Sequence, residues 1–118
     1  MIIAVDFDGF LFEDGFPDVG SPILPNIKFV LELQELGAEL ILWTCRGGQP
    51  LVNAVNACRA YGIDFVAIND DAPSTKLSWR GDFSRKVYAD YYLDDRIILN
   101  KEEFLIRMRE ALNTNKEI

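Results

Sequence analysis

MIIAVDFDGF, residues 1–10, runs five mostly aliphatic residues, Met1 to Val5, straight into Asp6 and Asp8, with Gly9 behind them. The five do not alternate with polar residues, so they predict a strand buried on both faces, the kind found inside a parallel sheet. Two carboxylates one residue apart repel one another, and a buried strand gains nothing from ending in them. Whatever Asp6 and Asp8 face must make their company tolerable.

Outward from that strand, Asp6 to Gly20 is a loop rich in Gly, Pro, Asp and Phe. From about Pro25 the spacing of Phe29, Val30, Leu33 and Leu36 predicts a helix with Gly37 as its C′ residue. Glu39–Trp43 reads as a second strand, closed by Thr44-Cys45-Arg46-Gly47-Gly48. A second helix takes Pro50 into its first turn, aligns Leu51, Val55 and Cys58, and stops at Gly62. Phe65–Ile68 is a third strand, leading into the polar connection NDDAPSTKLSWRGDFSRK, residues 69–86. Tyr91-Tyr92-Leu93 is a short fourth strand that ends in Asp94-Asp95. In the last helix Asn100 is the N-cap, Glu103 completes a variant capping box, and Phe104, Leu105, Met108 and Leu112 form the buried face, with fraying expected from Asn113.

Strands alternating with helices require right-handed crossovers, so the expected class is α/β: a three-layer, Rossmann-like parallel sheet flanked by helices, in one domain over residues 1–118. Ligands bind such sheets outside the carboxyl ends of the strands. Parallel pairing brings Asp6 and Asp8, Thr44 and Arg46, Asn69, Asp70 and Asp71, and Asp94 and Asp95 to that one edge. If the third strand lies two places from the first, Asp70 and Asp71 start about 10 Å from Asp6 and are peripheral.

Composition narrows the chemistry. The chain has no histidine, which excludes Ser-His-Asp and Cys-His catalysis, and its two cysteines cannot build an all-thiolate zinc site. Cys45 lacks the arginine six residues on that a thiol phosphatase needs, since position 51 is Leu51, and Cys58 sits on the apolar helix face. Any metal site is oxygen-rich, which points to magnesium or a similarly hard ion. The net charge of −7 argues against general nucleic-acid or anionic-membrane binding. No apolar run is long enough to span a bilayer, Met1–Val5 does not read as a signal peptide, and the sparse cysteines fit reduced thiols; a cytoplasmic location is expected.

Acids from two strand ends suit a hard divalent cation. The hydroxyl of Thr44 and cations such as Arg46, with one of Lys76, Arg80, Arg85 or Lys86, suit a bound phosphate. Together they suggest phosphoryl transfer, with an aspartate able to serve as nucleophile. IIAVDFDG, LILWT, and RK followed by ADYYLDDR, in this order at the ends of successive elements, resemble the haloacid dehalogenase-like (HAD) superfamily of phosphohydrolases, in its small, nearly capless form. The resemblance covers residues 1 to 96.

The resemblance implies a magnesium-dependent phosphomonoesterase that forms an aspartyl-phosphate. Asp6 would be the nucleophile and a metal ligand. Asp8 would be the acid–base group, its backbone carbonyl also on the metal. Thr44 would hold a phosphoryl oxygen, Lys86 would neutralise charge, and Asp94, with Asp95, would complete the Mg2+ site. In place of the family's usual DxDGT the chain has Phe10, which predicts a poorly set Asp8 and a gain in turnover for Phe10→Thr. The short connections leave no room for a cap domain, so an open site is expected. It would take a macromolecular phosphoester, or a phosphorylated small molecule covered by a Glu13–Ile23 flap lined by Phe12, Phe16 and Ile23 or by a partner subunit in a homo-oligomer, with Trp79 a second candidate for substrate contact. The rival reading is a catalytically impaired relative that binds a phosphorylated ligand or partner. A phospho-acceptor receiver domain fits the Asp6-x-Asp8 spacing and the position of Lys86 poorly.

Overall fold

The computed structural model describes residues 1–75, 86–97 and 100–116. Lys76, Trp79, Arg80 and Arg85 lie outside the described residues. The elements follow in the order β1 (Ile2–Val5), α1 (Leu24–Glu35), β2 (Glu39–Leu42), α2 (Gly48–Ala60), β3 (Phe65–Ile68), β4 (Tyr91–Leu93) and α3 (Lys101–Lys116). The four strands form one parallel sheet in the order β3-β2-β1-β4, a small Rossmann-like α/β fold.

β1 is buried along its whole length, as its unbroken apolar run requires, because β2 and β4 flank it. Register then decides where the acids go. Val5 stands opposite both Leu42 and Leu93, so the three strands end level. The ladder runs one step further, with Asp6 N–H donating to the Leu93 carbonyl at 2.9 Å and Trp43 N–H to the Val5 carbonyl at 2.9 Å. Asp6 and Asp94 therefore leave the sheet side by side, and Thr44 follows one residue beyond Trp43. β3 lies two places from β1 at the edge, and its alternate residues are exposed.

The helices follow from local chemistry. α1 ends in a Schellman turn: Gly37 has φ +100°, and the Ala38 N–H reaches back to the Leu33 carbonyl at 3.1 Å. α3 starts at Asn100, whose side-chain oxygen accepts the Glu103 N–H at 3.1 Å. It runs on to Lys116, past the Asn113 where fraying was expected. Ile27, Phe29, Val30 and Leu33 of α1, Ala54 and Cys58 of α2, and Phe104, Met108 and Leu112 of α3 join one cluster with Ile3, Val5, Leu40 and Leu42. All three described helices thus serve the same sheet face. Helices were expected on both faces. Among the described residues, the other face, Ile2, Ala4 and Ile41, is instead covered by the irregular segments that carry Ala72, Val87 and Ala89.

Residues 6–23 form one folded loop and no cap. Its aromatic residues behave as core: Phe7, Phe10 and Phe12 are buried, and the Phe7 and Phe12 rings stack at 5.0 Å. This corrects the expectation that Phe12 lines a flap; only Phe16, 61% exposed, points outward. Glu13 N–H to the Ser21 carbonyl and Ile23 N–H to the Leu11 carbonyl close the loop, and any side chain at Gly20 would run into the Glu13 carbonyl. Among the described residues no helix is long and apolar enough to cross a membrane.

Candidate functional site

Asp6 leaves β1 and the Asp94-Asp95 pair leaves β4, and one carboxylate oxygen from each lies within 4.8 Å of the others. Burial pushes Asp6 from 3.8 up to about 6, and the charge of Asp94, then Asp95 and Asp8, adds to it against a lowering hydrogen bond from the Phe7 backbone. Asp94 and Asp95 share a hydrogen bond that lowers Asp94 and raises Asp95. Gly9 makes this approach possible. Its φ is +82°, and a Cβ there would stand 2.7 Å from Asp95 Oδ2. The glycine of DxDG is needed for both its backbone and its lack of a side chain.

The three acids open onto a cleft of about 300 Å³, whose wall also includes Asp8, Asp14, Cys45 and Arg96. Asp8 does not turn its carboxylate to the acid cluster. Both its oxygens accept from Arg46, Oδ2 from Nε at 2.9 Å and Oδ1 from Nη2 at 2.7 Å. The structure brings the side chains of Asp6, Asp94 and Asp95 together; Asp8, expected to reach a metal through its backbone carbonyl, keeps its side chain apart on Arg46.

Arg46 corrects a second expectation. Assigned to a bound phosphate, it is 3% exposed, and all five of its N–H donors already have protein acceptors. Besides Asp8 these are the carbonyls of Pro17, Asp18 and Pro50 at 2.7–3.3 Å. Thr44, at the end of β2, is set by Asn69, whose Oδ1 accepts the Thr44 N–H at 2.8 Å, and its hydroxyl accepts the Arg46 N–H at 3.1 Å. Its own proton is not used in that bond, and the residue that lines the cleft from this strand end is the neighbouring Cys45.

Lys86 does not line the cleft; its ammonium lies 5.0 Å above the Tyr92 ring. Among the described residues the cation in the cleft wall is Arg96. It stands directly after the acid pair in LDDR, a sequence signal as plain as the lysine ahead of the strand. Asp71 is structural, as expected: its Oδ1 accepts the Tyr88 N–H at 2.7 Å.

Phe10 belongs to the core. It is 4% exposed within the main cluster, and its carbonyl accepts from Asn26 Nδ2 at 2.7 Å. The turn itself is held by backbone hydrogen bonds, Asn26 and Arg46. Phe10→Thr should therefore cost about 3 kcal/mol as a large-to-small core change, and the fall in Tm in a thermal melt checks it. A variant as stable as the wild type would contradict the core assignment.

A solved structure of a conserved protein from Bacteroides thetaiotaomicron matches this chain with a TM-score of 0.76 and 37% identity, over 94% of this chain and 91% of that one. The two chains belong to one family. No family model and no curated protein matches the chain. Family membership carries the Rossmann-like fold across nearly the whole length of both chains, while the chemistry of the cleft rests on its own residues.

Proposed function

We propose that the protein is a magnesium-dependent phosphomonoesterase of the HAD type, working through an aspartyl-phosphate on Asp6. The observation that carries this reading is the convergence of Asp6, Asp94 and Asp95 in a cleft at the carboxyl edge of a parallel sheet. Their donor set fits the ion: three hard oxygens, close enough to share one cation, and disfavoured as neighbouring charges without it. Asp6, Asp94 and Asp95 would hold it. When bound, magnesium supplies positive charge that offsets repulsion between the carboxylates and the phosphoryl oxygens.

The rest of the chemistry falls to the chain. A carboxylate oxygen of Asp6 attacks phosphorus, the bond from phosphorus to the leaving oxygen breaks, and that oxygen takes a proton from Asp8 or solvent and departs as the alcohol. Water then attacks the phosphorus of the aspartyl-phosphate. The bond to Asp6 breaks, inorganic phosphate leaves, and the water proton passes to Asp8 or solvent. The Thr44 hydroxyl donates to a phosphoryl oxygen, and Arg96 offers the cleft's positive charge.

Hydrolysis of 4-nitrophenyl phosphate with and without magnesium tests the reading. Phosphate release should require the metal. Binding of magnesium with no turnover would favour the rival, a relative that binds a phosphorylated ligand without processing it.

A further inference from the structure

Arg46 is too heavily committed for a loop residue. Its side chain is 1% exposed, its guanidinium lies 4.8 Å from the Phe7 ring centre and 5.3 Å from that of Phe16, and each of its five donors is used. Burying a guanidinium is costly unless every donor is satisfied and its charge is paired. Here the pair is Asp8, 26% exposed at the side chain and lining the acid cleft. The remaining donors reach the Pro17 and Asp18 carbonyls of the 13–23 segment and the Pro50 carbonyl in the first turn of α2. One side chain thus joins the loop that carries Asp8, the segment beside the cleft and the helix behind it.

We propose that Arg46 is a positioning residue: it fixes the Asp8 carboxylate in the cleft wall, beside the acid cluster rather than turned into it, and holds the 13–23 segment closed against it before substrate arrives. The proposal rests on the phosphatase reading, within which Asp8 is the acid–base group. No other side chain can replace it. Lysine keeps the charge but has one nitrogen, no fork to hold both Asp8 oxygens and no plane to lie between two rings.

The test uses Arg46→Lys and Arg46→Ala in the full chain, assayed on 4-nitrophenyl phosphate with magnesium. Misaiming the acid–base group should lower kcat about 100-fold and leave KM within about threefold. Stabilisation by magnesium should persist, since Asp6, Asp94 and Asp95 are untouched. Guanidinium at a sub-denaturing concentration should restore about a tenth or more of the lost turnover to Arg46→Ala by filling the slot between the rings, whereas urea should not. Amides in residues 14–20 of Arg46→Lys should exchange with solvent about tenfold faster than in the wild type.

Folded variants with wild-type kcat would overturn the proposal. So would a loss that guanidinium does not recover and that removes the magnesium response as well, because that is a collapsed site. Unchanged amide exchange would overturn the closed-segment half. A wild type with no Asp6-dependent turnover would instead remove the phosphatase reading, and this proposal with it.

Discussion

Asp6→Asn should lose turnover by roughly a thousandfold or more while making the metal-free protein more stable above pH 6. The two effects have one cause. Asp6 is the one acid of the cluster that leaves β1, an inner strand, and its backbone is fixed by the bond to Leu93 at 2.9 Å. Burial and the charges of Asp94, Asp95 and Asp8 hold its pKa at about 6. A carboxyl raised in the fold adds stability that is complete below its ordinary 3.8 and is lost as pH rises through about 6. Above that pH the fold carries a charge it disfavours, and an amide of the same shape relieves it. The amide is no nucleophile, so the covalent step stops. The check is a thermal melt at pH 7.5 without metal, beside turnover and mass-spectrometric detection of a phosphoryl group on Asp6. A variant that keeps turnover would remove Asp6 from the mechanism. One that loses turnover and also melts lower would mean that Asp6 is a structural group rather than a strained one.

The parts of this site that were legible in the sequence are those set by strand ends. An unbroken apolar run, a chain reversal and a second run fix which residues leave a parallel sheet together, so Asp6, Thr44 and Asp94 were placed by counting. What crosses between loops was not legible. Arg46 meets Asp8 across 38 positions, and a lone arginine after a strand reads as a solvated charge until its five acceptors are seen. Phe12 is a related case. In a loop full of Gly, Pro and Asp, aromatics look like a ligand-facing flap, but this loop folds back on the sheet and uses them as core. Lys86 stands ahead of β4 in the sequence, yet Tyr92 offers its ring on the sheet face away from the main core and takes the ammonium there. Periodicity reports which face a residue occupies, and partners brought by tertiary folding lie beyond it.

Magnesium should raise the melting temperature by about 10 °C at a hundred times its dissociation constant, and the rise should depend on pH. The magnitude follows from a linkage gain of about 2.7 kcal/mol and roughly 4 °C per kcal/mol for a chain of this size. The pH dependence follows from competition, because a cation and a proton cannot both occupy the same carboxylate oxygens. Asp6 is held at about 6 and Asp95 is also raised, so binding below that range must displace a proton. Apparent affinity should therefore improve about tenfold per pH unit up to about pH 6 and level off above it. Ionic strength must be held constant, since a chain of net charge −7 gains some stability from any added salt. Asp94→Asn should remove most of the shift, whereas Asp70→Asn, beyond β3 and outside the cluster, should leave it intact. A shift that ignores pH, or that survives Asp94→Asn, would mean that magnesium binds elsewhere on an acidic surface. The carboxylates at the end of β1 would then need another reason to tolerate one another.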